Sequence, residues 1–153
     1  MSGRTRRRDG GTAVVEFVLL GVLLLVPLLY LALALSAVQR SVLGVTQAAR
    51  EAGRAYVTGT AATAAARADE AARLALSDQG LPTAGLRIRY GSADSGCATA
   101  GPRPWPLRPG VDFAVCVSAP LRLLAVPGFL AADRTVVTAR HVVRTDEYRD
   151  HAP

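Results

Sequence analysis

The chain has 153 residues, half of them hydrophobic, with 18 basic and 12 acidic side chains for a net charge of +6. Every basic residue is Arg; four precede residue 9 and the others are scattered singly among acids. This lacks the basic stripe interleaved with aromatics that grips nucleic acid, so nucleic acid is not an expected partner. There is no Gly-rich phosphate loop, no Gly-x-Ser-x-Gly and no Lys at all, so neither enzyme activity, cofactor nor small-molecule substrate is expected.

Residues 1–11 read as a short basic leader facing the cytoplasm. Residues 17–38 carry no formal charge. As a helix they extend about 33 Å, enough to cross a bilayer core of about 30 Å. The transmembrane helix is therefore placed over residues 12–38, with Pro27 expected to bend rather than end it. Arg4, Arg6, Arg7 and Arg8 cluster at its N-terminal end, and the positive-inside rule orients that end toward the cytoplasm. A single-pass protein with its C-terminal region outside the cytoplasm follows. A secretory signal peptide fits less well, because its apolar region runs about 7–15 residues. Twin-Arg export fits less well still, since Arg7-Arg8 is followed by Asp-Gly.

Residues 39–80 read as an extracytoplasmic helical stalk and a second helix. Val42, Val45, Ala49, Ala52 and Tyr56 share one helical face, with Arg40, Gln47, Glu51 and Arg54 on the other. The stalk runs to about Val57 and breaks at Thr58-Gly59-Thr60. An Ala-rich helix over about 61–77 follows, with Asp69 and Arg73 spaced to pair and Gly80 and Pro82 as stop signals.

Residues 81–153 read as β-rich. Leu86, Ile88 and Tyr90 alternate with arginines, Val111, Phe113, Val115 and Val117 alternate with smaller or polar residues, and residues 135–145 are rich in Val and Thr. About three antiparallel strands result, and the fold class is α+β. The apolar connection 121–130 is expected beneath the sheet, the alternatives being the membrane surface or another subunit. Trp105, in a Pro-rich loop, is expected to pack over the sheet edge rather than serve as an exposed partner contact. Cys97 and Cys116 either form a disulfide, which an even count in an extracytoplasmic region favours, or remain two thiols. His141 and His151 have no metal-ligand spacing, so no metal is expected.

The junction at residues 6–17, Arg-Arg-Arg-Asp-Gly-Gly-Thr-Ala-Val-Val-Glu-Phe, is the most informative stretch. A carboxylate in an apolar helix costs about 2.5–3.5 kcal/mol at mid-bilayer and less near the interface. Glu16 is the only charge between the leader and Arg40. Charge placement alone allows two readings, a Glu16 solvated at the headgroup boundary or a Glu16 paired in a helical bundle. A Gly before the apolar segment, with Glu16 and Phe17 shortly after it, resembles the processing site of type IV pilin-like proteins. The Pro-containing apolar stretch 25–29 and the run Gln47-Ala48-Ala49-Arg50-Glu51-Ala52-Gly53-Arg54 resemble the TadE-like branch of the tight-adherence (Flp-type) pilus system. The likeness covers residues 8–56. It implies cleavage between Gly11 and Thr12 by a prepilin peptidase, and it implies that Glu16 meets the new amine of a neighbouring subunit. The partners it implies are that peptidase and other pilin-like subunits or the pilus assembly platform. The competing reading is an unprocessed, membrane-anchored extracytoplasmic binding module.

A reporter that is active only outside the cytoplasm, fused after Pro153, is expected to be active. Neutralising Arg4, Arg6, Arg7 and Arg8 together should reduce that activity. Activity from a cytoplasm-only reporter at the same position would reverse the orientation.

Overall fold

A computed structural model describes residues 10–120 and 135–148. Helix α1 spans Gly10–Val57 and α2 spans Ala64–Asp78, followed by strands β1 (Arg87–Ser92), β2 (Asp112–Pro120) and β3 (Val136–Arg144). The strands form one antiparallel sheet in the order β1-β2-β3. This is the α+β arrangement expected from the sequence, with five elements in the expected order. The leader arginines and the connection 121–130 lie outside the described residues.

The chain divides into two compact units, at Ser36 and Ala37. The first is helix alone over its described part, long and apolar enough together with the rest of α1 to cross a membrane. Its large side chains are exposed, Phe17 at 78% and Leu24 at 74%. Pro27 sits inside the helix and does not end it, although its missing N–H leaves the Leu23 carbonyl without its usual donor.

The second unit has a core. From residue 41 the helix changes from apolar all round to buried along one stripe: Ser41, Val45, Ala48, Ala49, Ala52 and Tyr56. Val42, expected on that stripe, is instead 45% exposed, because the 3.6-residue period carries the buried face through 41 and 45. α2 contributes Ala64, Ala68, Ala72, Ala75 and Leu76, and the sheet contributes Tyr90, Phe113, Val115, Val117 and Ala119.

Helix α2 starts three residues later than expected. Thr60 uses residues 60–63 for a turn: its carbonyl accepts from the Thr63 and Ala64 amides, and its own amide donates to Thr63 Oγ1. The helix ends in a Schellman motif. The Leu81 amide reaches the Leu76 carbonyl, the Gly80 amide reaches that of Ser77, and Gly80 takes a φ of +66°. The stop signal read from Gly80 is thus a left-handed residue that a side chain would strain.

α1 meets the sheet closely at Gly53. A Cβ there would lie 2.8 Å from Val143 Cγ1 and 3.1 Å from His141 Cδ2. Gly53→Val is therefore expected to destabilise the second unit by about 2–3 kcal/mol, the scale of overpacking a close-packed core. Gly21→Ala, where an added Cβ meets nothing within 4 Å, should cause no loss. Chemical denaturation of both variants in detergent micelles checks this.

Candidate assembly site and the disulfide-pinned sheet face

The residues singled out at the junction fall at the start of α1. Gly11 and Thr12 lie within its first turn, and the helix begins at Gly10, slightly before the expected start. Helix ends fray, so two residues of difference carry little weight. Glu16 follows Thr12 by four positions, which places the two on one helical face about 6 Å apart along the axis. Glu16 is exposed, and so are its neighbours Val14, Val15, Phe17, Val18 and Leu19. A single carboxylate thus stands in an apolar collar, with no ion pair among the described residues. The next charge in sequence, Arg40, is 24 residues further along, about 36 Å of helix. Arg4, Arg6, Arg7 and Arg8 lie outside the described residues.

The cysteines lie in the second unit. Cys97 and Cys116 are joined, with Cα atoms 5.7 Å apart, across a separation of 19 residues. A loop closed at that length stabilises by about 3 kcal/mol in the chain-entropy model. The bond draws the loop after β1 over the sheet face opposite the helices. Gly91 lies against Ser95 and Ala100, and Gly101 exchanges both backbone hydrogen bonds with Tyr90. Consequently β2 is buried on both faces, with Ala114 and Cys116 each at 1% exposure, like Phe113 and Val115. Period-two reading of β2 assigns one face to the core and the other to solvent. The available signal for a covered second face was the smallness of Ala114 and Cys116.

Trp105 behaves as the packing residue expected. It stacks on Phe113 with ring centroids 6.4 Å apart, and its carbonyl accepts a 2.6 Å hydrogen bond from the Tyr56 hydroxyl. Burial raises the Tyr56 pKa. Burial likewise raises Tyr90, with smaller contributions from Tyr56 and Asp69. Asp69 and Arg73 pair across one turn of α2 at 2.6 Å, and the carboxylate's hydrogen bond holds the guanidinium pKa up. Both are too exposed for the pair to contribute much. Among the described residues no cluster of three or more His, Cys, Asp or Glu is placed to hold a metal ion.

Comparison with protein-family models, with curated proteins and with solved structures finds no match.

His141 is a titratable group in the packing between α1 and the sheet. It is half-buried on the inner side of β3 near Gly53, and desolvation lowers its pKa, with Arg50 on α1 adding to the effect. The unfolded chain therefore binds a proton at His141 at higher pH than the folded chain does. Its contribution to stability is present above the ordinary imidazole value and is lost as pH falls toward the lowered one. The melting temperature of the second unit should fall between about pH 7.5 and about pH 5. In His141→Gln the fall over that window should be smaller.

Proposed function

We propose that the chain is a membrane-anchored pseudopilin or minor pilin-like component of a bacterial tight-adherence (Flp-type) pilus assembly system, matured by a prepilin peptidase. The observation that carries the reading is Glu16, an exposed carboxylate in an apolar collar, four residues after the Gly11-Thr12 bond. Cleavage there removes the four leader arginines with Asp9, and it creates an ammonium on Thr12. In an apolar bundle that ammonium on one subunit offsets the Glu16 carboxylate of the next, and neither charge is then buried alone. The peptidase closes on backbone, and a residue without Cβ at Gly11 suits that step.

The architecture supports the same role. A helix whose first unit is apolar all round is suited to bundling with other apolar helices, and the second unit supplies a separate packed body for contacts outside the bilayer. The proposed orientation puts that body outside the cytoplasm, where the Cys97–Cys116 bond persists. A compact, disulfide-closed unit also suits the competing reading, a tethered binding module. Only processing separates the two.

Mass spectrometry of the protein from its native envelope is expected to give Thr12 as the N-terminus. Gly11→Val should retain the leader while leaving the protein in the membrane. Glu16→Gln should still be cleaved, yet co-purify with fewer partner helices. An intact Met1 or Ser2 start, in cells with an active prepilin peptidase, leaves the tethered module as the surviving reading.

A further inference from the structure

A depression of about 570 Å³ opens where β1 ends, lined by Tyr90, Ser92, Ser95, Thr99, Arg103 and Trp105. All six belong to the second unit, so the site needs nothing from the apolar half of α1. Its walls are held from several sides. The Cys97–Cys116 bond pins the loop to β2, and Gly101 exchanges two backbone hydrogen bonds with Tyr90. The Arg140 guanidinium donates to the Ala93 carbonyl, and the Tyr56 hydroxyl donates to that of Trp105. Pro102, Pro104 and Pro106 fix φ on either side of Arg103 and Trp105. A preformed depression of this size falls in the range of ligand sites, about 300–1,000 Å³, and its rigidity lowers the cost of binding.

The chemistry of the lining narrows the ligand. Trp105 stacks on Phe113 yet is only half-buried, and its ring borders the depression. An indole so placed offers flat apolar surface to a ligand as well as to the core. The Ser95 hydroxyl donates to the Ser92 carbonyl, and the Thr99 hydroxyl donates to that of Gly96. Both hydrogens are thus used within the loop, and what these hydroxyls offer a ligand is their lone pairs. A fitting ligand therefore brings O–H donors of its own. Arg103 adds a guanidinium, whose planar fork suits a carboxylate. The lining includes no carboxylate, and Asp94 of the same loop is exposed outside it. A pyranose ring has a C–H face that stacks on an indole and a rim of donating hydroxyls, and a sugar acid adds the carboxylate. A proline-rich peptide could use the indole, but its prolines bring no N–H for the two hydroxyls.

We infer that this depression is a docking site for an acidic saccharide, with a pyranose ring on Trp105, sugar hydroxyls donating to Ser95 and Thr99, and a uronate carboxylate on Arg103. The inference is independent of cleavage at Gly11 and holds for either reading of the N-terminus. It gives the second unit a ligand of its own, held by a loop that the disulfide keeps in place.

Trp105 is the only Trp in the chain, so its emission reports the site directly. The full chain is placed in phosphatidylcholine nanodiscs, which carry no sugar headgroup. It is titrated with a galacturonate tetrasaccharide, with a tetrasaccharide of alternating glucuronate and N-acetylglucosamine, and with neutral chitotetraose. A saturable emission shift is expected with at least one acidic saccharide, about tenfold tighter than with chitotetraose, the scale of a charge-assisted hydrogen bond. Arg103→Gln, at an exposed position, should remove that preference and leave the melting temperature unchanged. Thr99→Val, also exposed, should weaken the acidic saccharide several-fold. The absence of a saturable shift with either acidic saccharide overturns the inference. So does binding that equals that of chitotetraose or survives Arg103→Gln undiminished. A shift given by a proline-rich peptide and by neither acidic saccharide makes the depression a peptide groove instead.

Discussion

Four stretches of chain far apart in sequence meet at the Tyr56 ring. It packs on Tyr90 of β1 at 4.8 Å and on Phe113 of β2 at 5.3 Å, and its hydroxyl closes on the carbonyl of Trp105 in the loop between them. The chain has only eight aromatic residues, and four of them meet in this one cluster. The remaining core is mostly Ala. Burying an Ala removes little apolar surface from water, and a small domain built that way gains modest stability from burial. The aromatic cluster and the disulfide then act as two fasteners on opposite faces of β2. One fixes the sheet to α1, and the other fixes the long loop to the sheet.

That division of labour explains what the sequence showed and what it hid. Length and freedom from charge revealed the apolar half of α1, and the Thr58-Gly59-Thr60 break marked its end at Val57 within a residue. Alternation revealed β1 and β2, and richness in Val and Thr revealed β3; Ile88, Phe113 and Val143 belong to one inward face. Two features escaped. Val42 looked like a core residue because apolarity was read without fixing the phase of the stripe, and the phase is set by what packs against Gly53 and Tyr56. The covered outer face of β2 depends on a contact between residues 97 and 116, and spacing alone left the pairing open. Of the candidate site, Glu16 and its apolar surroundings were legible from composition, since charge in an apolar helix is visible without geometry.

The small residues of α1 serve the second unit as the large ones serve the first. Between Ser41 and Tyr56 the buried positions are Ser, Gly, Val or Ala, which lets the sheet and α2 approach the helix closely. Up to Ser36 the outward residues are mainly Leu and Val, suited to hydrocarbon or to another apolar helix. One continuous helix therefore follows two packing rules in succession, and the change falls within a turn or two of Arg40. A single substitution has different consequences on the two sides of that change. An added methyl at Gly53 meets the sheet, whereas at Gly21 it meets nothing of this chain.

The same distinction bears on Glu16. Along its own helical face the nearest preceding position is Thr12, and the next formal charge ahead is Arg40. The leader arginines stand eight or more positions before it in sequence, at Arg8 and earlier. On the proposed reading, an unprocessed chain carries a carboxylate whose nearest basic residue in sequence is eight positions away, and an apolar bundle, where screening by water is lost, leaves it unneutralised. On that reading it stays at the headgroup boundary until cleavage, where hydration lowers the cost. On the proposed reading, cleavage changes this in one step, removing four arginines that resist leaving the aqueous side and supplying a compact ammonium one turn from Glu16. The chain can then move relative to the bilayer without carrying an unpaired charge. On that reading, removal of the leader and burial of Glu16 are two sides of one electrostatic condition, and the carboxylate serves a helix that leaves its first position in the membrane.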